Sequence, residues 1–329
     1  MRTHRLGPAV TLLVVCALDA TACSSSSKTA TPAPSPTTTA AQTKTAASVA
    51  ASTCARPHKA GQFSQAFTFQ GRSRTYQLYV PAAYNGTTDV PLVFDFHGFG
   101  SDAIQQMVYG NFKPQADRND FLIVAPDGQQ SPGGRHFSFG GEKGLQNDVS
   151  MVQSLLGHID ATLCVDAKRV YATGMSDGGA MTSVLACTLP NKFAAFAAVA
   201  VIIYCGSKGK PAVPIEAFSG TADPVVPFNG GAVHCCGGTV LGAAPTAMAN
   251  WAAHDQCGAK YTDTRLGTQV RRRTWPNCKA GHEAVFYIID GGGHTWPGSI
   301  PVPRLGLTTQ QIKASDVIWK FFSAHELSS

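Results

Sequence analysis

Apolar and polar side chains alternate over residues 66–70 and 75–80, on either side of Gly71-Arg72-Ser73. Such alternation around a turn predicts a β-hairpin with one wet face. Unbroken apolar runs follow at residues 90–96 and 121–125, the second ending in Pro126-Asp127-Gly128. Runs of that length fit strands of a parallel sheet covered on both faces. Val149, Val152, Leu155, Leu156, Ile159 and Leu163 then recur at helical spacing, and Asn147 or Asp148 can cap the start. Further on, the pattern predicts strands at 169–173, 196–202, 215–218 and 284–289. Helices are predicted from just after Ser176 to about Leu189, over 247–253, and from Thr309 to about His325. Alternation of strands and helices implies an α/β fold, a mostly parallel central sheet with helices on both faces and right-handed crossovers.

The first 53 residues follow neither pattern. Residues 1–22 carry Arg2 and Arg5, an apolar run over 9–18 that is too short to span a bilayer, and Ala20-Thr21-Ala22, the three parts of a secretory signal. Ordinary cleavage after Ala22 would free the chain. Ala20-Thr21-Ala22-Cys23 also resembles a bacterial lipobox, and cleavage there leaves Cys23 lipidated, attaching the protein to the outer face of the cell membrane. From Ser24 to Thr53 the sequence is almost all Ser, Thr, Ala, Pro, Lys and Gln, too polar to offset its ordering entropy, and it reads as a tether. The expected organisation is a signal peptide (1–22), a spacer (23–53) and one catalytic domain (54–329).

Composition narrows the possible functions. The chain has 329 residues, 44% apolar and 14% charged, as a globular protein does. Its formal charge of +6 becomes +5 once Arg2, Arg5 and Asp19 are set aside. The basic residues are scattered apart from Arg271-Arg272-Arg273, which reads as a solvated strand edge, so nucleic acid is not expected as a partner. A monomer is expected. Beyond Cys16 and Cys23 there remain Cys54, Cys164, Cys187, Cys205, Cys235, Cys236, Cys257 and Cys278. An even number in an exported chain implies up to four disulfides. Cys257 and Cys278 flank a short strand-like insert and form the best single pair. His234-Cys235-Cys236 lacks the second ligand cluster a metal site needs, so disulfides to different partners are expected there.

The chemistry centres on Gly174-Met175-Ser176-Asp177-Gly178, a G-x-S-x-G between a strand and a helix. That strained turn lifts a serine hydroxyl clear of the sheet. Serine needs a histidine base, and the histidine needs an acid to fix its tautomer, in the chain order Ser, acid, His. His294 stands in Asp290-Gly291-Gly292-Gly293-His294-Thr295-Trp296-Pro297-Gly298, a glycine loop after the final strand. His282 and His325 look structural, and His254 a surface residue. For the acid, Asp223 follows the strand at 215–218 and is favoured over Asp290, which ends its own strand. Oxyanion donors would be the backbone amides of Asp177 and of Phe99, the latter in His97-Gly98-Phe99-Gly100. The mechanism requires no metal and no organic cofactor.

Together with Arg74-Thr75-Tyr76-Gln77-Leu78-Tyr79-Val80-Pro81 and Gly220-Thr221-Ala222-Asp223-Pro224-Val225-Val226-Pro227, these motifs resemble the polyhydroxybutyrate depolymerase and feruloyl esterase family, including its bacterial lipoprotein members. The resemblance spans nearly all of the folded part. It implies an α/β-hydrolase, a serine esterase, with Ser176, Asp223 and His294 as triad. Its substrates would be hydroxyalkanoate oligomers or feruloyl and acetyl esters. Asp177 departs from the family pattern, in which Ala or Asn is more usual, and sets a negative charge beside the oxyanion. Two other readings stand beside it. A serine peptidase would use the same triad but usually adds a gating domain for which this chain has no room. A surface binding protein on an inactive hydrolase scaffold would not keep all three residues.

Overall fold

The computed structural model describes residues 54–206, 209–235 and 239–327. The expected signal, the tether and Cys23 lie outside the described residues.

The chain opens with a hairpin, β1 (Gly61–Phe69) and β2 (Arg72–Val80). Its turn is Gln70-Gly71, earlier than the sequence pattern places it, because the pairing runs through to Phe69 opposite Arg72. Next come β3 (Val90–Phe96), α1 (Ala103–Tyr109), α2 (Lys113–Asn119) and β4 (Leu122–Pro126). A small hairpin, β5 (Gln129–Ser131) and β6 (Gly134–His136), leads to α3 (Asp148–Thr162). Asn147 caps α3, its side chain accepting from the Ser150 amide. Then follow β7 (Val165–Met175), α4 (Asp177–Thr188), β8 (Ala195–Val199), β9 (Ile215–Gly220) and the two-residue strands β10 (Gly231–Ala232) and β11 (Val240–Leu241). The last part contains α5 (Ala244–His254), β12 (Thr262–Arg265), β13 (Val270–Trp275), β14 (Ala284–Ile289) and α6 (Ala314–Phe322). The closing helix thus begins five residues later than expected. Residues 309–313 instead form an irregular segment with a bend at 311–312, tied at its start by the Gly298 amide donating to the Thr309 carbonyl at 2.8 Å.

Ten strands form one sheet in the order β1-β2-β4-β3-β7-β8-β9-β14-β13-β12. The middle of it, from β4 to β14, is parallel throughout. Antiparallel pairs close both edges, β1-β2-β4 on one side and β14-β13-β12 on the other.

Every residue of β3 is buried, and the pleat sends alternate ones to opposite faces. Leu92, Phe94 and Phe96 join the core under α3, α4 and α5, with Leu155, Leu185 and Trp251. Val93 joins the core on the other face, with Met107 of α1, Ala116 of α2 and Trp319 of α6. Continuous apolar strands are what this double cover demands. Because the central strands are parallel, their C-terminal ends lie along one edge, where loops can gather side chains from distant parts of the sequence.

Candidate active site

Three of those strand ends carry the expected residues. Ser176 is the single residue between β7 and α4. Its φ of 57° and ψ of −115° put a side-chain-bearing residue in a region that costs about 1–3 kcal/mol. The surroundings hold it there. The Ser176 amide donates to the Val199 carbonyl at 2.8 Å, and the Ala180 amide to the Ser176 carbonyl at 2.9 Å. A Cβ on Gly178 would stand 2.0 Å from the Phe96 carbonyl oxygen. Only glycine lets α4 start this close to β3.

Asp223 follows β9 and His294 follows β14. The Asp223 Oδ2 to His294 Nδ1 distance is 2.8 Å, with the two side chains 3% and 5% exposed. Asp223 Oδ1 accepts from the amides of Val225 and Val226, each at 2.8 Å. The carboxylate is acceptor-only, so Nδ1 carries the proton and Nε2 is left as the base. The two loops are also tied through the backbone, the Ala222 amide donating to the Gly292 carbonyl at 2.9 Å. Beyond His294 the chain returns against the histidine loop. The His294 amide donates to the Leu305 carbonyl at 2.7 Å and the Gly293 amide to the Leu307 carbonyl at 2.9 Å. A Cβ on Gly293 would lie 2.0 Å from the Leu305 oxygen, so the glycine is what allows this contact.

Ser176 and His294 line one cavity of about 580 Å³, whose walls include Phe99, Ile104, Val108, Ile300 and Val302. Ile104, Val108 and Ile300 are each more than half exposed, so the walls open to solvent as apolar surface. Among the described residues no hydrogen bond joins Ser176 Oγ to His294. Such contacts tighten when substrate fills the site.

The Gly98 backbone packs on Ser176; a Cβ there would lie 3.3 Å from that of the serine. Its loop is braced by His97, fully buried, whose Nε2 accepts from the Gly128 amide at 2.9 Å while Nδ1 donates to the Gly98 carbonyl at 2.7 Å. Burial pushes the His97 imidazole below its ordinary pKa, which keeps it neutral and able to do both. The Gly100 and Ser101 amides are spent on the Arg135 and Gly98 carbonyls. The Phe99 amide has no acceptor among the described residues. Asp177, as the first residue of α4, has an amide with no intrahelical acceptor either.

The Asp177 carboxylate has its own partner, away from that amide: Oδ2 accepts from the Phe137 amide at 2.8 Å. Burial raises its pKa to about 6, against the lowering effects of that bond and of nearby His136. The charge expected beside the oxyanion is therefore engaged with the 137 segment.

The other residues separate from the site. Asp290 is ion-paired with Arg271 at 2.6 Å and Arg265 at 3.3 Å rather than with a histidine. Arg272 meets Glu283 and Arg273 meets Asp263, so the arginine run is neutralised strand to strand. His282 and His325 meet edge to face, their ring centroids 6.2 Å apart. His254, expected at the surface, is half-buried, with Nε2 on the Pro211 carbonyl and near Asp255. Cys257 and Cys278 are joined, as are Cys54 with Cys164 and Cys187 with Cys205. Cys235 is disulfide-bonded and lines the cavity, and His234 bonds the Pro224 carbonyl.

Sequence comparison places this geometry. Residues 74–234 match the family described as esterase PHB depolymerase. The chain is similar to that family of carboxylic ester hydrolases. The chain is 34% identical over 224 residues to feruloyl esterase B of Piromyces equi, covering 65% of the chain and 41% of that protein. The chain therefore spans less than half the length of that relative. It is 26% identical over 258 residues to the protein described as "Probable feruloyl esterase C" of Aspergillus flavus, covering 76% and 84% of the two. Among solved structures, the acetyl xylan esterase from Aspergillus awamori superposes with a TM-score of 0.55 at 16% identity, over 79% of this chain and 99% of that one. The shared fold is that of the α/β-hydrolases.

Sequence reading did not find the roles of His97, of the Val225 and Val226 amides, or of the cavity walls at 104–108 and 300–305. The prolines of Ile300-Pro301-Val302-Pro303 were the available signal for a fixed wall.

Proposed function

We propose that this esterase is an exported serine hydrolase in which Ser176 is the nucleophile, His294 the base and Asp223 the acid that orients it. The 2.8 Å contact between His294 Nδ1 and Asp223, at the edge of the cavity that holds Ser176, carries the reading. His294 Nε2 takes the Ser176 proton as Oγ attacks the ester carbonyl. The Phe99 and Asp177 amides hold the developing oxyanion, and the alcohol leaves with the proton from His294. Water then attacks the acyl-enzyme, His294 again serving as base, and the acid is released. All three side chains belong to one chain, which suits a monomer.

The substrate would be a soluble ester with an apolar portion, since Ile104, Val108, Ile300 and Val302 line the cavity. Hydroxyalkanoate oligomers and feruloyl or acetyl esters both meet that description, and the names of the relatives favour the same classes. The disulfides support an oxidising compartment. With the signal at 1–22 and the spacer at 23–53, Cys23 would hold the domain at the outer membrane face.

A fluorophosphonate probe tests the nucleophile. Labelling of the wild type and none of Ser176→Ala is expected, with p-nitrophenyl butyrate hydrolysis lost in the same variant. Equal labelling of both proteins would overturn the assignment.

A further inference from the structure

Arg304 stands out in the wall of the cavity. Every other arginine among the described residues has a partner: Arg56 and Arg72 bond main-chain carbonyls, and the rest meet carboxylates. Arg304 has no hydrogen bond and no ion pair among the described residues, yet it lines the same cavity as Ser176 and His294. Among the described residues no acidic side chain lines that cavity, and apart from the histidine Arg304 is its sole charged lining residue. An unpaired guanidinium over an apolar surface is a ready recognition element for a planar anion.

Its position is fixed by the backbone. Arg304 sits in the short 3-10 turn Pro303–Leu305, whose Leu305 carbonyl accepts from the His294 amide at 2.7 Å. Pro303 presets the turn. The arginine is therefore carried by the turn that also holds the proposed base. In the esterase mechanism the base returns its proton to the departing alcohol oxygen, so the alcohol half of the substrate must lie on the histidine side.

We propose that Arg304 selects esters whose alcohol half carries a free carboxylate, that is, acyl esters of hydroxy acids. The guanidinium receives the carboxylate while the apolar walls take the acyl chain. This rests on the esterase reading and adds to it which half of the substrate is charged.

The test uses butyrate esters of 4-hydroxybenzoate and of 4-hydroxybenzamide, alike in size but differing by one charge, with p-nitrophenyl hemiglutarate as an acid on the acyl side. The ratio of kcat/KM for the acid over the amide should fall about tenfold in Arg304→Gln, through KM, and be largely kept in Arg304→Lys. The wild-type ratio should decline with salt, as an exposed ion pair does, and hemiglutarate should gain nothing from the arginine. An unchanged ratio in Arg304→Gln overturns the inference while leaving the esterase intact. A larger loss on hemiglutarate than on the hydroxybenzoate ester overturns the assignment to the alcohol half. If the wild type hydrolyses none of the esters, the esterase reading fails and the inference falls with it.

Discussion

The Phe137 amide donates to the Asp177 carboxylate at 2.8 Å, joining the residue after Ser176 to the loop beyond β6. Next to it the Phe99 ring stacks on His136 at 5.7 Å, and His136 pairs with Glu142 at 2.8 Å. One face of the Gly98–Gly100 loop therefore rests on a small ionisable cluster.

That cluster gives stability a pH dependence. Burial raises the Asp177 pKa from 3.8 to about 6. The folded protein thus holds a proton that the unfolded chain gives up, and stability falls as pH rises from about 4 to about 6, staying lower above that. In Asp177→Asn the amide oxygen still accepts from Phe137 and the ionisation cost is gone. The variant should be more stable than wild type at pH 8, by up to about 3 kcal/mol, with the gain vanishing below pH 4. Denaturant melts at the two pH values check this; a gain equal at both would refute the ionisation account.

The acid can be assigned by comparison. Asp223→Asn presents the wrong hydrogen-bonding group to His294 Nδ1 and should lower kcat by roughly 10⁴. Asp290→Asn only loosens surface pairs to Arg265 and Arg271, worth about 0–1 kcal/mol, and its kcat/KM should stay within about twofold of wild type. Steady-state rates on p-nitrophenyl butyrate decide between them.

The backbone of Ser176 stores strain that glycine would relieve. Ser176→Gly should abolish turnover yet raise unfolding free energy by about 1 kcal/mol, while Ser176→Ala gives no such gain. Thermal melts of the two inactive variants measure the difference.

The disulfides should contribute in proportion to the loops they close. Cys54 and Cys164 are 110 residues apart, and Cys257 and Cys278 are 21 apart. Replacing the first pair by serine should cost about 5 kcal/mol and the second about 3, measurable by urea unfolding.

Much of this architecture was legible in the sequence wherever burial imposed one period. Residues 284–289 are all apolar and buried, and β14 has those bounds. Asn147 and the 3.6-residue spacing after it mark α3 just as the structure has it. The two seven-residue helices α1 and α2 were hidden because two turns are too few to set a period, and their lengths include Gln105, Gln106, Lys113 and Arg118. β12 reads Thr-Asp-Thr-Arg and is exposed throughout; only its pairing with the arginines of β13 makes it a strand. At the site, the order of motifs singled out Ser176, Asp223 and His294, and each follows a strand of the parallel core. The cavity walls were not legible, because nothing local in 300–305 reveals which loop it will return to.

The turn that carries Leu305 and Arg304 is bonded to the amide of His294, whereas Ile104 and Val108 of the opposite wall sit on α1, which among the described residues has no such bond to the histidine itself. A change near 305 that improves the fit of a new ester also risks tilting the imidazole. A change at Ile104 or Val108 reshapes the pocket without touching a bond to the histidine loop, which α1 meets through Tyr109. Laboratory evolution toward new esters should accordingly accumulate its first substitutions on the helical side, with the other bank remaining the conservative one.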